Sequence, residues 1–225
     1  TYKTWNFELL IWYNFAMSSI KESKKAEENH IVPYNGHITK KHRQKLNGHK
    51  SFVLWFTGLP SSGKSTIAHK VELELYKRGI KTYVFDGDNI RTGLNKDLGF
   101  TEKERDENIR RIAEVIKLFI DAGLVVLTAF VSPLKKHREY VKSLLEDGEY
   151  IEIYVKCPPE KCAERDLKGH YQKAKLGIIK NFTGVDGIYE EPLNPDLTIE
   201  TDKMSIDESV KAVLDLLKNK NLIPY

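Results

Sequence analysis

Eight consecutive residues, Gly58-Leu59-Pro60-Ser61-Ser62-Gly63-Lys64-Ser65, place two glycines, a lysine and a hydroxyl at the spacing G-x-x-x-x-G-K-[ST]. The glycines let the backbone wrap a phosphate with its N–H groups turned inward. Lys64 reaches the β- and γ-phosphates, and the Ser65 hydroxyl suits Mg²⁺. The chemistry implied is that of a nucleoside triphosphate, with Thr66 continuing the site into the next element. A second group, Asp86-Gly87-Asp88-Asn89-Ile90-Arg91, brings together two carboxylates and an arginine. A carboxylate there holds Mg²⁺ through water or accepts a proton from an attacking hydroxyl. Arg91 suits a phosphate or sulfate gripped by two N–H groups. Arg105 and Asn108 are three apart and share a helix face near its start, a place that suits an anion, although alone they read as an ordinary charged face. Ser132 ends a strand at a helix start, where it is either an N-cap or a residue facing the phosphates. No acidic residue follows that strand, so the magnesium carboxylate falls to Asp86 or Asp88.

These residues need a scaffold that brings them to one edge. Residues 51–57 form an apolar, aromatic-rich run before the glycine loop, and 64–78 a helix stopped by Gly79. Strand patterns recur at 81–85, 124–130, 150–155 and 197–199. Helical patterns recur at 103–121, 133–145, 159–166 and 205–217. Such alternation predicts βαβ units and an α/β fold, a three-layer sandwich with a parallel sheet of about five strands and helices on both faces. In such sheets ligands bind beyond the carboxyl ends of the strands, where the glycine loop and Asp86 both emerge. Between Lys168 and Pro195 no strand or long helix is evident. This basic, glycine-punctuated stretch reads as a lid at about 168–190 that closes over phosphates.

A chain of 225 residues with 40% hydrophobic residues can bury one sizeable core. Its formal charge of +4 does not argue for nucleic-acid binding. Two cysteines, Cys157 and Cys162, indicate neither a zinc site nor a disulfide framework, and a reducing cytoplasm fits best. No stretch reaches the ~18 apolar residues of a membrane span. Residues 5–15 are apolar and aromatic without a cationic region or cleavage site. They read as an upstream extension, with Met17 as the alternative start, and residues 18–30 as a solvated linker. The expected organisation is an extension or linker over 1–29, an arm over 30–50, a catalytic domain over 51–219 and a tail over 220–225.

Taken in order, these motifs resemble the adenylyl-sulfate kinase (APS kinase) family over roughly residues 30–217. The resemblance is carried by Lys45-Leu46-Asn47-Gly48-His49, the glycine loop, the Asp86 to Arg91 group and the Phe100 to Arg111 stretch. It continues through Ala129-Phe130-Val131-Ser132-Pro133, Arg165-Asp166-Leu167-Lys168-Gly169-His170-Tyr171 and Ile179-Lys180-Asn181-Phe182-Thr183-Gly184. Family members transfer the γ-phosphate of ATP to the ribose 3′-hydroxyl of adenosine 5′-phosphosulfate, with Mg²⁺, and are usually homodimers. The resemblance implies that Phe100 and Phe182 sandwich the sulfonucleotide adenine, while Arg91, Arg105 and Asn108 hold its phosphosulfate end and sugar. It implies that Asp86 orients or deprotonates the 3′-hydroxyl, Asp88 helps place Mg²⁺ and Lys64 neutralises the transferring phosphoryl. Arg165 would lie against the ATP adenine, with Lys168 and Lys180 on the lid. Ser132 matches a serine that the family can carry as a phosphoserine, although direct in-line transfer needs only positioning and charge stabilisation. Two departures stand out. Pro60-Ser61 replaces the more usual Ser-Gly, which removes one N–H donor and strains Ser61 if that position needs a positive φ. Leu134-Lys135 replaces the usual Tyr-Arg. The competing readings are another small-molecule kinase with the same loop and a silent nucleotide-binding module.

Overall fold

Runs of β-branched and aromatic residues, each followed by a helical period, fold into five parallel strands: β1 (Val53–Thr57), β2 (Thr82–Asp86), β3 (Val125–Ala129), β4 (Tyr150–Lys156) and β5 (Leu197–Glu200). The computed structural model describes residues 32–34 and 36–223. The aromatic segment at 5–15 and the linker at 18–30 therefore lie outside the described residues. The chain divides into two units, Thr1–Ile38 and Thr39–Tyr225. In the first, the described residues form neither helix nor strand.

The second unit carries the sheet, ordered β2-β3-β1-β4-β5. β1 lies between β3 and β4 with every pairing parallel, and Phe56 sits beside Ala129 on one side and Ile153 on the other. All five residues of β1 and of β3 are buried, as the continuous apolar runs require. Helices α2 (Lys64–Lys77) and α8 (Ile206–Asn219) supply Ile67, Val71, Val213 and Leu217 to the core on one face. Helices α4 (Glu102–Asp121) and α5 (Lys135–Ser143) supply Ile112, Ile116 and Val141 to the core on the other. The short helices are α1 (Lys40–Asn47), α3 (Gly87–Thr92), α6 (Pro159–Glu164) and α7 (His170–Lys175). α1 lies where an arm was expected. Its closing motif fastens the start of the sheet: Asn47 donates to the Gly123 carbonyl, and the His49 Nε2 accepts from the Lys81 backbone N–H. Gly48, at φ 73°, ends that helix in the left-handed region.

The lid region is not wholly irregular. α7 occupies its first part, and Asp186 then accepts the backbone N–H groups of Asn181 and Phe182 to close a tight turn.

Candidate active site

β1 delivers the chain to Gly58, whose φ of 154° belongs to glycine, and a Cβ there would collide with the Val155 carbonyl oxygen on β4. The loop then wraps back into α2. Ser61 sits at φ 60° without being glycine, the strain that Pro60-Ser61 foretold. Leu59 packs beside Cys157, Cys162 and Tyr171, and the Tyr171 hydroxyl donates to the Pro60 carbonyl at 3.0 Å. The root of the lid is thereby tied to the glycine loop. From the opposite side the Thr201 hydroxyl donates to the Ser62 carbonyl at 2.9 Å, and Arg165 in turn donates to both the Thr201 hydroxyl and its carbonyl.

Lys64 is buried and its ammonium donates to the carbonyls of Gly58 (2.9 Å) and Leu59 (2.6 Å). Burial pulls its pKa down to about 8, against the opposing pull of Asp86 and Asp88. The Ser65 hydroxyl donates to Asp86 Oδ2 at 2.6 Å, while Asp86 Oδ1 accepts the Asp88 backbone N–H at 2.9 Å and so caps α3. This hydroxyl–carboxylate pair is a hard-oxygen donor set of the kind Mg²⁺ takes, with its remaining positions left to water and phosphate. Among the described residues no three His, Cys, Asp or Glu side chains cluster as a self-contained metal cage. Asp88 itself is exposed and ion-paired with Lys168 from the lid, which holds the lysine pKa above its ordinary value.

A cleft of about 800 Å³ spans the carboxyl edge of the sheet. Its lining includes Lys64, Ser65 and Asp86 together with Phe100, Arg105 and Phe182. Gly63, Thr66, Arg91, Asn108, Ser132, Arg165 and Lys168 also line it. Lys180 is exposed and is not part of that lining. The expected site residues are thus nearly all brought together, but several are held differently from expectation. Arg91 donates to the carbonyls of Leu98 and Gly99 and lies over the Phe100 ring at 4.2 Å, a cation–π contact that props up one wall. Arg105 links the two aromatic walls: it donates to the Phe100 carbonyl at 2.9 Å and to the Asn181 carbonyl, next to Phe182, at 3.0 Å. Burial lowers the pKa of both arginines. Phe182 packs edge-on against Tyr171.

Ser132 is not an N-cap. α5 begins at Lys135, and Glu190, at the end of the lid, supplies the carboxylate that accepts the Lys135 N–H. Ser132 is buried at φ 37°, accepting from the Trp55 indole N–H at 3.0 Å and donating to Thr57 Oγ1 at 2.9 Å. Sequence reasoning missed Asn95, a fully buried amide that donates to Asn108 Oδ1 at 3.0 Å. It also missed His137, whose Nε2 meets Asp106 at 2.6 Å beside the anion-facing residues, and Arg138. Their signals are long-range packing, with no local motif to betray them.

The family profile described as adenylylsulphate kinase matches residues 50–200 of this chain. The chain belongs to the adenylylsulphate kinase family. It is 57% identical over 196 residues to the adenylyl-sulfate kinase of Thermodesulfovibrio yellowstonii, covering 87% of this chain and 98% of that relative. A similar solved structure is the Mycobacterium tuberculosis APS kinase in complex with AMPPNP and APS, at TM-score 0.72 and 44% identity, covering 76% of this chain and 99% of that one. A hexameric APS kinase from Thiobacillus denitrificans aligns at TM-score 0.62 and 28% identity over 82% of this chain and 32% of that one. Within this adenylylsulphate kinase fold, the cleft is lined from both edges of the sheet, by Asp86 at the end of β2 and Thr201 after β5. No helix among the described residues is long and apolar enough to cross a membrane.

Proposed function

We propose that this chain phosphorylates the ribose 3′-hydroxyl of adenosine 5′-phosphosulfate with ATP, giving 3′-phosphoadenosine 5′-phosphosulfate and ADP, the reaction that activates sulfate. The observation that carries the reading is one cleft lined both by the phosphate loop with Asp86 and by Phe100, Arg105 and Phe182. The loop backbone and Lys64 take the ATP phosphates, and Arg165 offers a face to its adenine. Phe100 and Phe182 are the aromatic surfaces for the second adenine. Arg91, Arg105 and Asn108 supply charge and hydrogen bonds for the phosphosulfate and sugar, assisted by Lys168 and, more distantly, Lys180.

Asp86 is the residue placed to orient the 3′-hydroxyl and receive its proton as the γ-phosphoryl transfers in line. Lys64 neutralises charge on the phosphoryl during transfer. Ser65 and Asp86, with Asp88 through water, are the residues that would hold Mg²⁺. When bound it supplies charge neutralisation across the β- and γ-phosphates. The Ser132 hydroxyl, engaged by Trp55 and Thr57, supports direct transfer over a phosphoserine intermediate. Two buried free thiols support a cytoplasmic enzyme, and we expect a homodimer.

The test offers purified protein ATP and Mg²⁺ with adenylyl sulfate, AMP, gluconate or shikimate. Phosphorylation of adenylyl sulfate alone is the expected outcome. Turnover of another acceptor with adenylyl sulfate inert would sink the assignment.

A further inference from the structure

Arg138 is a buried cation on α5 that belongs to none of the recognised motifs. Its guanidinium is used on all sides. Nη1 donates to the Ser132 carbonyl at 2.8 Å, Nη2 donates to the Glu190 carbonyl at 2.7 Å, and Nε lies 3.0 Å from Glu152 Oε1 on β4. Each of these three elements does something different. Ser132 is a cleft residue in a left-handed conformation that a serine adopts only under constraint. Glu190 stands where the lid rejoins the core, and its own N–H donates to the Pro133 carbonyl at 2.8 Å. Its neighbour Tyr189 meets Thr57 Oγ1 at 3.1 Å, the same hydroxyl that accepts from Ser132. Glu152 anchors the arrangement to the sheet. Burial raises its carboxyl pKa, and the Arg138 charge opposes that rise.

We propose that Arg138 is a positioning residue: a clasp that holds the strained Ser132–Pro133 turn and the far root of the lid in one geometry, and thereby sets the affinity for the acceptor nucleotide. The inference rests on the acceptor half of the cleft being the adenylyl sulfate site. A planar fork with three separately directed donors is required, because each partner lies in a different direction and two are carbonyls. A lysine keeps the charge and the volume but offers a single point of donation. Losing the fork frees Ser132 and Glu190, neither of which is hydrogen-bonded to residues 58–65 among the described residues, while the glycine loop keeps its own ties to Tyr171 and Thr201. The lid then closes from a root that is no longer fixed.

The test compares wild type with R138K, which keeps the charge beside Glu152. KM for adenylyl sulfate is expected to rise about tenfold or more while KM for ATP stays within about twofold. The ¹⁵N-labelled indole N–H resonance of Trp55, assigned with a Trp55→Phe control, is expected to shift because Ser132 is its acceptor. Equal rises in both KM values, or an indole resonance that does not move, would overturn the clasp. Should R138K fail to fold, Glu152→Gln keeps the shape but removes the charge that anchors the Arg138 fork to β4. It is expected to raise KM for adenylyl sulfate and leave that for ATP, and no change in either would equally overturn the proposal. An enzyme inert toward adenylyl sulfate would instead overturn the reaction assignment, since the Trp55 resonance reports on the clasp without turnover.

Discussion

Lys64 is the residue on which both chemistry and stability turn. Its ammonium is buried against two carbonyls, and no carboxylate among the described residues forms an ion pair with it, a placement that costs free energy. Lys64→Met should lower kcat by about 10²–10³-fold, the scale of removing one preorganised charge donor, as read in a coupled ADP assay. The same variant carries a stability prediction. The folded-state pKa lies near 8 against an ordinary 10.5. Below about pH 8 both folded and unfolded chains hold the proton, and the burial cost is fully present. Between about 8 and 10.5 the unfolded chain binds more protons, so wild-type stability relative to Lys64→Met should climb with pH, by on the order of 3 kcal/mol across the window. Urea melts of both proteins at pH 7 and pH 10 measure it, and a difference that stays flat or falls would refute the buried-ammonium account. On the lid, Phe182→Ala should weaken adenylyl sulfate by on the order of 1 kcal/mol, about fivefold, and leave ATP nearly untouched. Equal losses measured by calorimetry would count against an adenine stacked there.

Among the elements, α4 does most for the acceptor site, because Arg105 and Asn108 both fall in its first two turns. Thr101 caps it with a reciprocal box, its hydroxyl accepting from the Glu104 N–H and Glu104 reaching back to the Thr101 N–H. Thr101→Ala should cost about 1 kcal/mol, lower Tm by about 2–4 °C and raise KM for adenylyl sulfate, all measurable by calorimetry and steady-state kinetics. Gly58→Ala belongs to the same scale. A methyl group driven into the Val155 carbonyl must displace β1 or β4, so ATP binding should vanish while the far face of the sheet stays folded by circular dichroism. The strands and long helices were legible because their patterns are local: Leu124 to Phe130 could be little else than a buried strand, and Thr101 and Ser205 announce the helices they cap. α3 was hidden because Asp86-Gly87-Asp88 reads as a turn until Asp86 is seen capping it. Only the cap alternative for Ser132 failed, for the opposite reason. The serine looks like a local cap, but the group that serves α5 is Glu190, 55 positions away in sequence. Arg138 and Asn95 carry no local signature at all, since their meaning is the partners that folding brings to them.

At the scale of the whole molecule, the cleft is assembled from nearly every crossover of the sheet, so its walls have different origins. The glycine loop is tied to the lid through Tyr171 and Pro60 and to β5 through Thr201 and Ser62. The aromatic walls are tied to each other through Arg105. The glycine loop and the aromatic walls are therefore braced by one connected set of contacts. The tie to Thr201 also bears on the order of synthesis. Residues 58–65 emerge from the ribosome early, but the hydroxyl and arginine that brace the Ser62 carbonyl come 100 to 140 positions later. During translation the phosphate cradle must wait, half-built, until β5 has been made and has paired with β4. A nascent chain stalled before Thr201 should hold its apolar strands together yet bind ATP poorly, so that nucleotide affinity serves as a clock for completion of the sheet.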